Sequence, residues 1–294
     1  MNLRELEYFK AVSEQHSFTK AAEQLYVSQP CVTAAVNRLE EFLGVQLLER
    51  NKKEKAVRVT AEGALFLARV DNILSEIDEA IMEVRNYNSS SIHFGLPPII
   101  GAYLFPSMFA YIRKRYPHVQ FKVTEYGSRV TTELLREGKL DLGIIGQQNK
   151  EPIAGLHSVL LYEDHLTVCV PDDHPLAKRK SISIAELKEE HFIVLTNAYV
   201  HHEQLMKACT HYGFKPQIVF ESDEIQTVKS MVASGAGISL IVSMAVQNMP
   251  GLVTVPLEEP MPFYIQLCWK EDHHLSKDCL SMIECMREMP LQGV

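Results

Sequence analysis

Two short helical stretches separated by the three residues Tyr26-Val27-Ser28 constrain this chain more than anything else in it. From Thr19, the apolar positions Ala21, Ala22 and Leu25 recur at helical spacing and then stop. From Gln29 they return as Val32, Val36 and Leu39, at steps of four and three. The gap is too brief for anything but a tight turn. Ser17-Phe18-Thr19 and Ser28 are placed to cap the two helices, and Pro30 falls in a first turn, where a missing N–H is harmless. An earlier helix over 3–15 carries Leu3, Leu6, Phe9, Ala11 and Val12. Two short helices joined this tightly form a helix-turn-helix, whose second helix enters the DNA major groove.

The next residues complete a DNA-reading head. Beyond Gly44, residues 45–48 and 56–60 read as two short strands flanking a basic tip, a wing in which Arg50, Lys52, Lys53, Lys55 and Arg58 face a single acid, Glu54. The net charge of −8 argues against a chain that coats nucleic acid indiscriminately, yet the location of charge matters more than its sum. The candidate DNA contacts are Thr19, Ser28, Gln29, Pro30, Thr33, Asn37 and Arg38, with Arg50, Lys52, Lys53 and Lys55 on the wing. Asn37 suits adenine edges; Arg38 suits guanine or a phosphate.

Thr60-Ala61-Glu62-Gly63 opens a long helix in which Phe66, Val70, Ile73, Ile77, Ala80 and Val84 recur at alternating steps of four and three. Such a stripe suits pairing between subunits. The competing reading is one amphipathic helix lying on its own domain, with Leu67, Leu74 and Ile81 widening the apolar face. The polar stretch 86–91 then reads as a hinge.

From Ser91 the pattern changes to strands alternating with helices: strand 92–96, helix 101–115, strand 119–123, helix 128–137, strand 140–145. A similar series comes next, with strands at 166–170, 192–195, 217–220 and 238–242, and helices near 183–188, 200–212 and 224–234. These are two doubly wound α/β lobes in series, and open sheets of this kind take small ligands in the cleft between them. A final helix over 275–289 is expected to return to the first lobe. The organisation expected is a winged helix-turn-helix over 1–60, a linker helix and hinge over 61–90, lobe one over 91–164 with 266–294, and lobe two over 165–265.

Other classes fit poorly. No apolar run reaches the length of a membrane span, and the N-terminus lacks an export pattern, which places the chain in the cytoplasm. The six cysteines are scattered, without a C-x-x-C pair. No G-x-S-x-G, no P-loop and no G-x-G-x-x-G after a strand is present, so catalytic residues are expected to be none and cofactors none. His201, His202, Cys209 and His211 cluster, as do His273, His274 and Cys279, but neighbouring helical histidines point about a hundred degrees apart, and no metal site is expected.

The segment FTKAAEQLYVSQPCVTAAVNRLEEFLGVQLLERN followed by VTAEG resembles the N-terminal signature of LysR-type transcriptional regulators. YPHVQFKVTEYGS, LREGKLDLGII, DDHPLA and MVASGAGISL resemble motifs of the family's lobes, so the likeness extends over nearly the whole chain. It implies two lobes of periplasmic-binding-protein type and a homodimer, commonly a dimer of dimers, pairing through Phe66, Val70, Ile73, Ile77 and Val84. It also implies binding to double-stranded promoter DNA, with RNA polymerase a further candidate partner, under the control of a small effector. The chain departs from the family where Ala34 and Ala35 replace longer polar residues, which leaves more of the reading to DNA shape, and its wing is longer than usual. The resemblance places the effector against Pro97, Pro98, Ile99 and Ile100, against Ser128 and Thr131, against Gly146 and Gln147, and opposite at Thr196, Asn197, His201 and His202. Ser128 and Thr131 open a helix, whose free N–H groups favour the carboxylate of a small organic acid, whereas Pro97 and Pro98 offer no N–H. Cys209 falls where the family's peroxide-sensing members carry one of two reactive cysteines, with Val200 near the other position.

Overall fold

The structure, a computed structural model, describes residues 1–51, 56–86, 90–246, 249–273 and 275–290. They form two compact units, Met1–Arg85 and Asn86–Val294.

In the first unit, α1 (Leu3–Gln15) is started by a capping box: Asn2 Oδ1 accepts from the Glu5 N–H and the Glu5 carboxylate accepts from the Asn2 N–H. α2 (Phe18–Gln24) is capped by Ser17, whose hydroxyl accepts from the Lys20 N–H at 3.3 Å. α3 (Gln29–Leu43) begins after Ser28 and ends at Gly44, φ 71°. Ser28 holds the cap position expected of it, but its side chain makes no cap bond. Phe9, Val12, Ala21, Val32, Val36 and Leu39 are fully buried where the three helices meet.

The wing is an antiparallel pair, β1 (Leu48–Asn51) and β2 (Ala56–Val59), with Leu48 opposite Val59. Its first strand starts later than residues 45–48 suggest. Both the Leu47 and Leu48 N–H groups donate to Glu40 Oε1, at 2.8 and 3.0 Å, which ties this stretch to the end of α3, and Val45 is exposed. α4 (Ala61–Asn86) is entered through Thr60, whose hydroxyl accepts from the Gly63 N–H at 2.9 Å. Gly63 has a steric reason to be glycine, because a Cβ there would stand 2.1 Å from the Leu47 carbonyl oxygen.

The apolar stripe of α4 divides. Val70 is fully buried, and Phe66, Leu67 and Leu74 pack against the head's own core, while Ile73, Ile81 and Val84 are exposed. A packed row (Phe66, Leu67, Val70, Leu74) and an exposed row that starts at Ile73 and continues to Val84 thus overlap along one element. Of the hinge read over 86–91, residues 87–89 lie outside the described ones.

The second unit is built on a six-stranded sheet. Its strands are β3 (Ser91–Leu96), β4 (Gln120–Glu125), β5 (Leu142–Gln147), β6 (Leu156–Pro171), β9 (Ser239–Val242) and β10 (Leu252–Lys270), in the spatial order β4-β3-β5-β10-β6-β9. β3 runs parallel to β4 and β5, as the alternation of strand and helix predicts. β10 lies antiparallel between β5 and β6, which makes the sheet mixed. β7 (His191–Leu195) and β8 (Gln217–Ser222) pair in parallel. The helices are α5 (Pro98–Tyr103), α6 (Phe105–Arg115), α7 (Ser128–Arg136), α8 (Val200–His211), α9 (Ile225–Ala233) and α10 (Lys277–Arg287).

Four elements differ most from the expectation. β6 starts at Leu156, ten residues before the strand expected over 166–170. The helix over 101–115 starts earlier and is two helices, broken at Leu104, just before Pro106. The helix near 183–188 is one 3-10 turn, Ile184–Leu187. β10 has no counterpart among the expected strands; Pro256, Pro260 and Pro262 within it supply no N–H to a ladder. Its ladder to β6 skips from Pro256 to Met261, so residues 257–260 bulge out and the pairing resumes beyond them. Among the described residues, no helix is long and apolar enough to cross a membrane.

Candidate nucleic-acid interface and ligand cleft

The outer face of α3 presents Gln29, Pro30, Asn37 and Arg38, with Thr33 half-exposed; Ser28 and Thr19 are exposed beside it. Within that face, Gln29 Nε2 donates to Thr33 Oγ1 at 2.7 Å, so these two side chains are mutually oriented. Arg38 Nε donates to Glu5 Oε1 at 2.8 Å. That bond holds the buried Glu5 carboxyl below the usual carboxylate range, with help from the Asn2 N–H and the chain's amino terminus. The guanidinium is therefore aimed by α1 rather than left to roam. Of the two small residues on α3, Ala34 is exposed, but Ala35 is 1% exposed and belongs to the core. Tyr26, in the sequence no more than a residue of the tight turn, is 96% exposed with φ 54° and stands at the turn's outer tip. On the wing, Arg50 pairs with Val57 across the ladder, and Lys52, Lys53 and Lys55 lie outside the described residues.

In the second unit, residues named for the effector converge in part. Ser128 begins α7 after Gly127, and its hydroxyl accepts from the Gly146 N–H at 3.0 Å. Gly146 has room for no side chain, because a Cβ would meet the Phe263 ring at 2.2 Å, and that ring packs against His201 with centroids 5.2 Å apart. Opposite, the Thr196 hydroxyl donates to the Asp223 carboxylate and the Tyr199 hydroxyl to the Asp223 carbonyl. The two sides touch at Gly127, where a Cβ would lie 2.6 Å from the Ala198 carbonyl oxygen. Ile99 and Ile100 are core residues, and Thr131 is buried with its hydroxyl donating to the Tyr126 carbonyl. Gln147 Nε2 turns to the Glu151 carbonyl, Asn197 is exposed, and Pro98 and His202 are half-exposed. Sequence reasoning misses Asp223 and Phe263; each is brought in from a distant segment, with no local signal to mark it.

His201 is buried with both ring nitrogens unpartnered, and burial lowers its pKa to about 4, so the ring is neutral near pH 7. Burial likewise pushes the Tyr199 hydroxyl up, reinforced by Asp223, Glu224 and Glu125, which make this side of the cleft acidic. A cavity of 370 Å³ beside α8 is lined by Gln148, Gln204, Lys207, Tyr212, Glu259 and Met261. Among the described residues, no group of three or more His, Cys, Asp or Glu is placed to hold a metal; His274 lies outside them. Cys209 is fully buried, and that burial raises its pKa to about 11, which keeps it a thiol rather than a thiolate.

A winged helix-turn-helix, a long helix and a mixed α/β unit together define a DNA-binding transcriptional regulator with an effector-binding domain. The chain belongs to the LysR family: the model of the bacterial regulatory helix-turn-helix proteins of that family matches residues 3–64, and that of the LysR substrate binding domain matches residues 85–290. It is 34% identical over 280 residues to the uncharacterized HTH-type transcriptional regulator YwbI of Bacillus subtilis, covering 94% of this chain and 92% of that one. It is 31% identical over 268 residues to the DNA-binding transcriptional dual regulator OxyR of Escherichia coli, covering 89% and 87%. Among solved structures, full-length BenM is similar with a TM-score of 0.57 and 30% identity, over 98% of this chain and 96% of that one. These domains and relatives are those of transcriptional regulators, not of enzymes.

Proposed function

We propose that the chain is a cytoplasmic regulator that reads promoter DNA through α3 and the wing, and that a small organic acid bound between two lobes sets that reading. Lobe one comprises 91–164 with 266–294 and lobe two 165–265; 1–60 is the reading head and 61–90 the linker. The observation that carries the effector reading is the backbone contact between Gly127 and Ala198, beside Ser128 and Gly146. A ligand entering there must move one lobe against the other. Such a ligand shifts an equilibrium only if it binds the two arrangements with different affinity. The exposed apolar residues of α4, Ile73, Ile81 and Val84, support a homodimer or a dimer of dimers. In that arrangement a lobe movement changes the spacing of the heads presented to DNA and to RNA polymerase. Peroxide sensing, which the resemblance raises at Cys209, finds no support in that buried, protonated thiol.

The test is a footprint on the promoter beside the chain's own gene, with and without a panel of carboxylic acids. Protection of a defined site, altered in length or in DNA bend by at least one acid, is expected. Protection that no acid alters would overturn the effector reading, and absence of protection the DNA reading.

A further inference from the structure

A cation is buried at the seam of the second unit without a counter-charge among the described residues. Lys229, on α9, is 4% exposed, and its ammonium donates to the Tyr103 hydroxyl on α5 at 2.8 Å. Gln226, one turn earlier, donates its side-chain N–H to the same oxygen at 2.6 Å. The ammonium also stands 4.9 Å from the centroid of the Tyr103 ring. The ion pairs of the described residues include none to Lys229.

A phenol oxygen is a weak companion for a buried charge. An ammonium taken out of water costs several kcal/mol unless an anion and further hydrogen bonds meet it. Tyr103 uses its oxygen as an acceptor twice and keeps its O–H to donate; Lys229 keeps two N–H groups. Two kinds of donor and one uncompensated positive charge thus meet where α5 of one lobe faces α9 of the other. Elsewhere the cleft wall is acidic, with Asp223, Glu224 and Glu125 around Tyr199. An anion is repelled there and attracted to Lys229.

We propose that Lys229 and Tyr103 form the carboxylate-binding pair of this chain, selective for monocarboxylates, and that the acid, by taking over the ammonium from Tyr103, releases a bond between the lobes. The proposal rests on the acid-effector reading above and adds to it a place, a charge and a sign. A second carboxylate on the ligand is disfavoured by the acidic wall.

The experiment is thermal melting of the full-length chain at constant ionic strength, with acetate, its neutral isostere acetamide and the dianion malonate as probes. Acetate is expected to raise the melting temperature of the wild type and acetamide to leave it unchanged, with malonate weaker than acetate. Lys229→Met should abolish the acetate response, and Tyr103→Phe should raise its half-saturation about tenfold, the equivalent of one charge-assisted hydrogen bond. With ring-labelled tyrosine, the resonance that Tyr103→Phe deletes should move with acetate in the wild type, a readout that does not need the lysine variant to fold. Acetate silent up to 0.2 M (roughly the concentration at which weak fragment binding shows), acetamide equal to acetate, or an unchanged response in Lys229→Met overturns the proposal. If other carboxylates stabilise Lys229→Met as they do the wild type, the acid-effector reading survives and only this site falls. If none stabilises either protein, both fall.

Discussion

Gly63→Ala tests how the head is locked to its long helix. The added methyl carbon would stand 2.1 Å from the Leu47 carbonyl oxygen and 2.9 Å from Val59 Cγ1. Carbon and oxygen need about 3.3 Å, so the two must part by roughly 1.2 Å. The carbonyl cannot yield freely, since it accepts from the Thr60 N–H at 3.0 Å and the Thr60 hydroxyl at 3.1 Å. Overpacking costs about 1–3 kcal/mol, and loosening two hydrogen bonds adds about 1 kcal/mol each. Alanine's better helix propensity returns about 1 kcal/mol. The expected net destabilisation is about 2–4 kcal/mol, confined to the first unit. Urea unfolding of the full chain can separate the units, because the single tryptophan, Trp269, lies on β10 in the second. Far-UV circular dichroism should show an early loss of helix, while the Trp269 fluorescence midpoint stays put. Gly44→Ala is the control: its φ of 71° is strained for alanine, but a Cβ there meets nothing within 4 Å, so it should cost about 1 kcal/mol. If Gly63→Ala unfolds within about 0.5 kcal/mol of the wild type, the steric argument is wrong.

Arg50→Ala, on the wing, should weaken binding to all DNA sequences and reduce the salt slope of log K by about one unit; an unchanged slope removes Arg50 from the phosphate contacts. His201 is neutral in the folded chain, with a pKa lowered to about 4 from 6.5. Its contribution to stability is therefore intact above pH 6.5 and lost as pH falls towards 4, by about 3 kcal/mol in all. His201→Leu should flatten urea midpoints over that range, and equal pH slopes in the two proteins would count against the buried neutral ring. Thiol titration of the native chain should find Cys31, the exposed cysteine, reacting first, with Cys209 among the slow ones; rapid oxidation of Cys209 by peroxide would contradict its burial.

The helix-turn-helix is legible in the sequence because its information is local. The step pattern of Val32, Val36 and Leu39, the Ser17 cap and the glycine at 44 act within a few residues, and each stands where the pattern puts it. The stripe on α4 is legible as a stripe but not as a covered row beside an exposed one, since periodicity tells which residues share a face and not what covers them. β10 is hidden because its identity is conferred from outside: β5 and β6 supply its hydrogen bonds, and of the prolines that speak against a strand only Pro260 falls in the bulge, while Pro256 and Pro262 stand in the ladder opposite Thr167 and His165. The cleft suffers most. Motif alone finds Ser128 and Gly146, but Asp223, Phe263, Tyr103 and Lys229 take their meaning from partners far along the chain.

β10 also dictates an order of events. It is a central strand of its sheet, flanked by β5 and β6, yet it is made after both of them, from Leu252 to Lys270. Until the ribosome has released it, β5 and β6 each carry an open hydrogen-bonding edge with no neighbour to close it. Such edges invite pairing with another chain. The first unit is complete before residue 90 and can fold as it emerges, whereas the second must wait for its keystone, a long-range closure of the slow kind. Nascent chains stalled before residue 252 should therefore depend on holdase chaperones, and those stalled well beyond residue 270 should not.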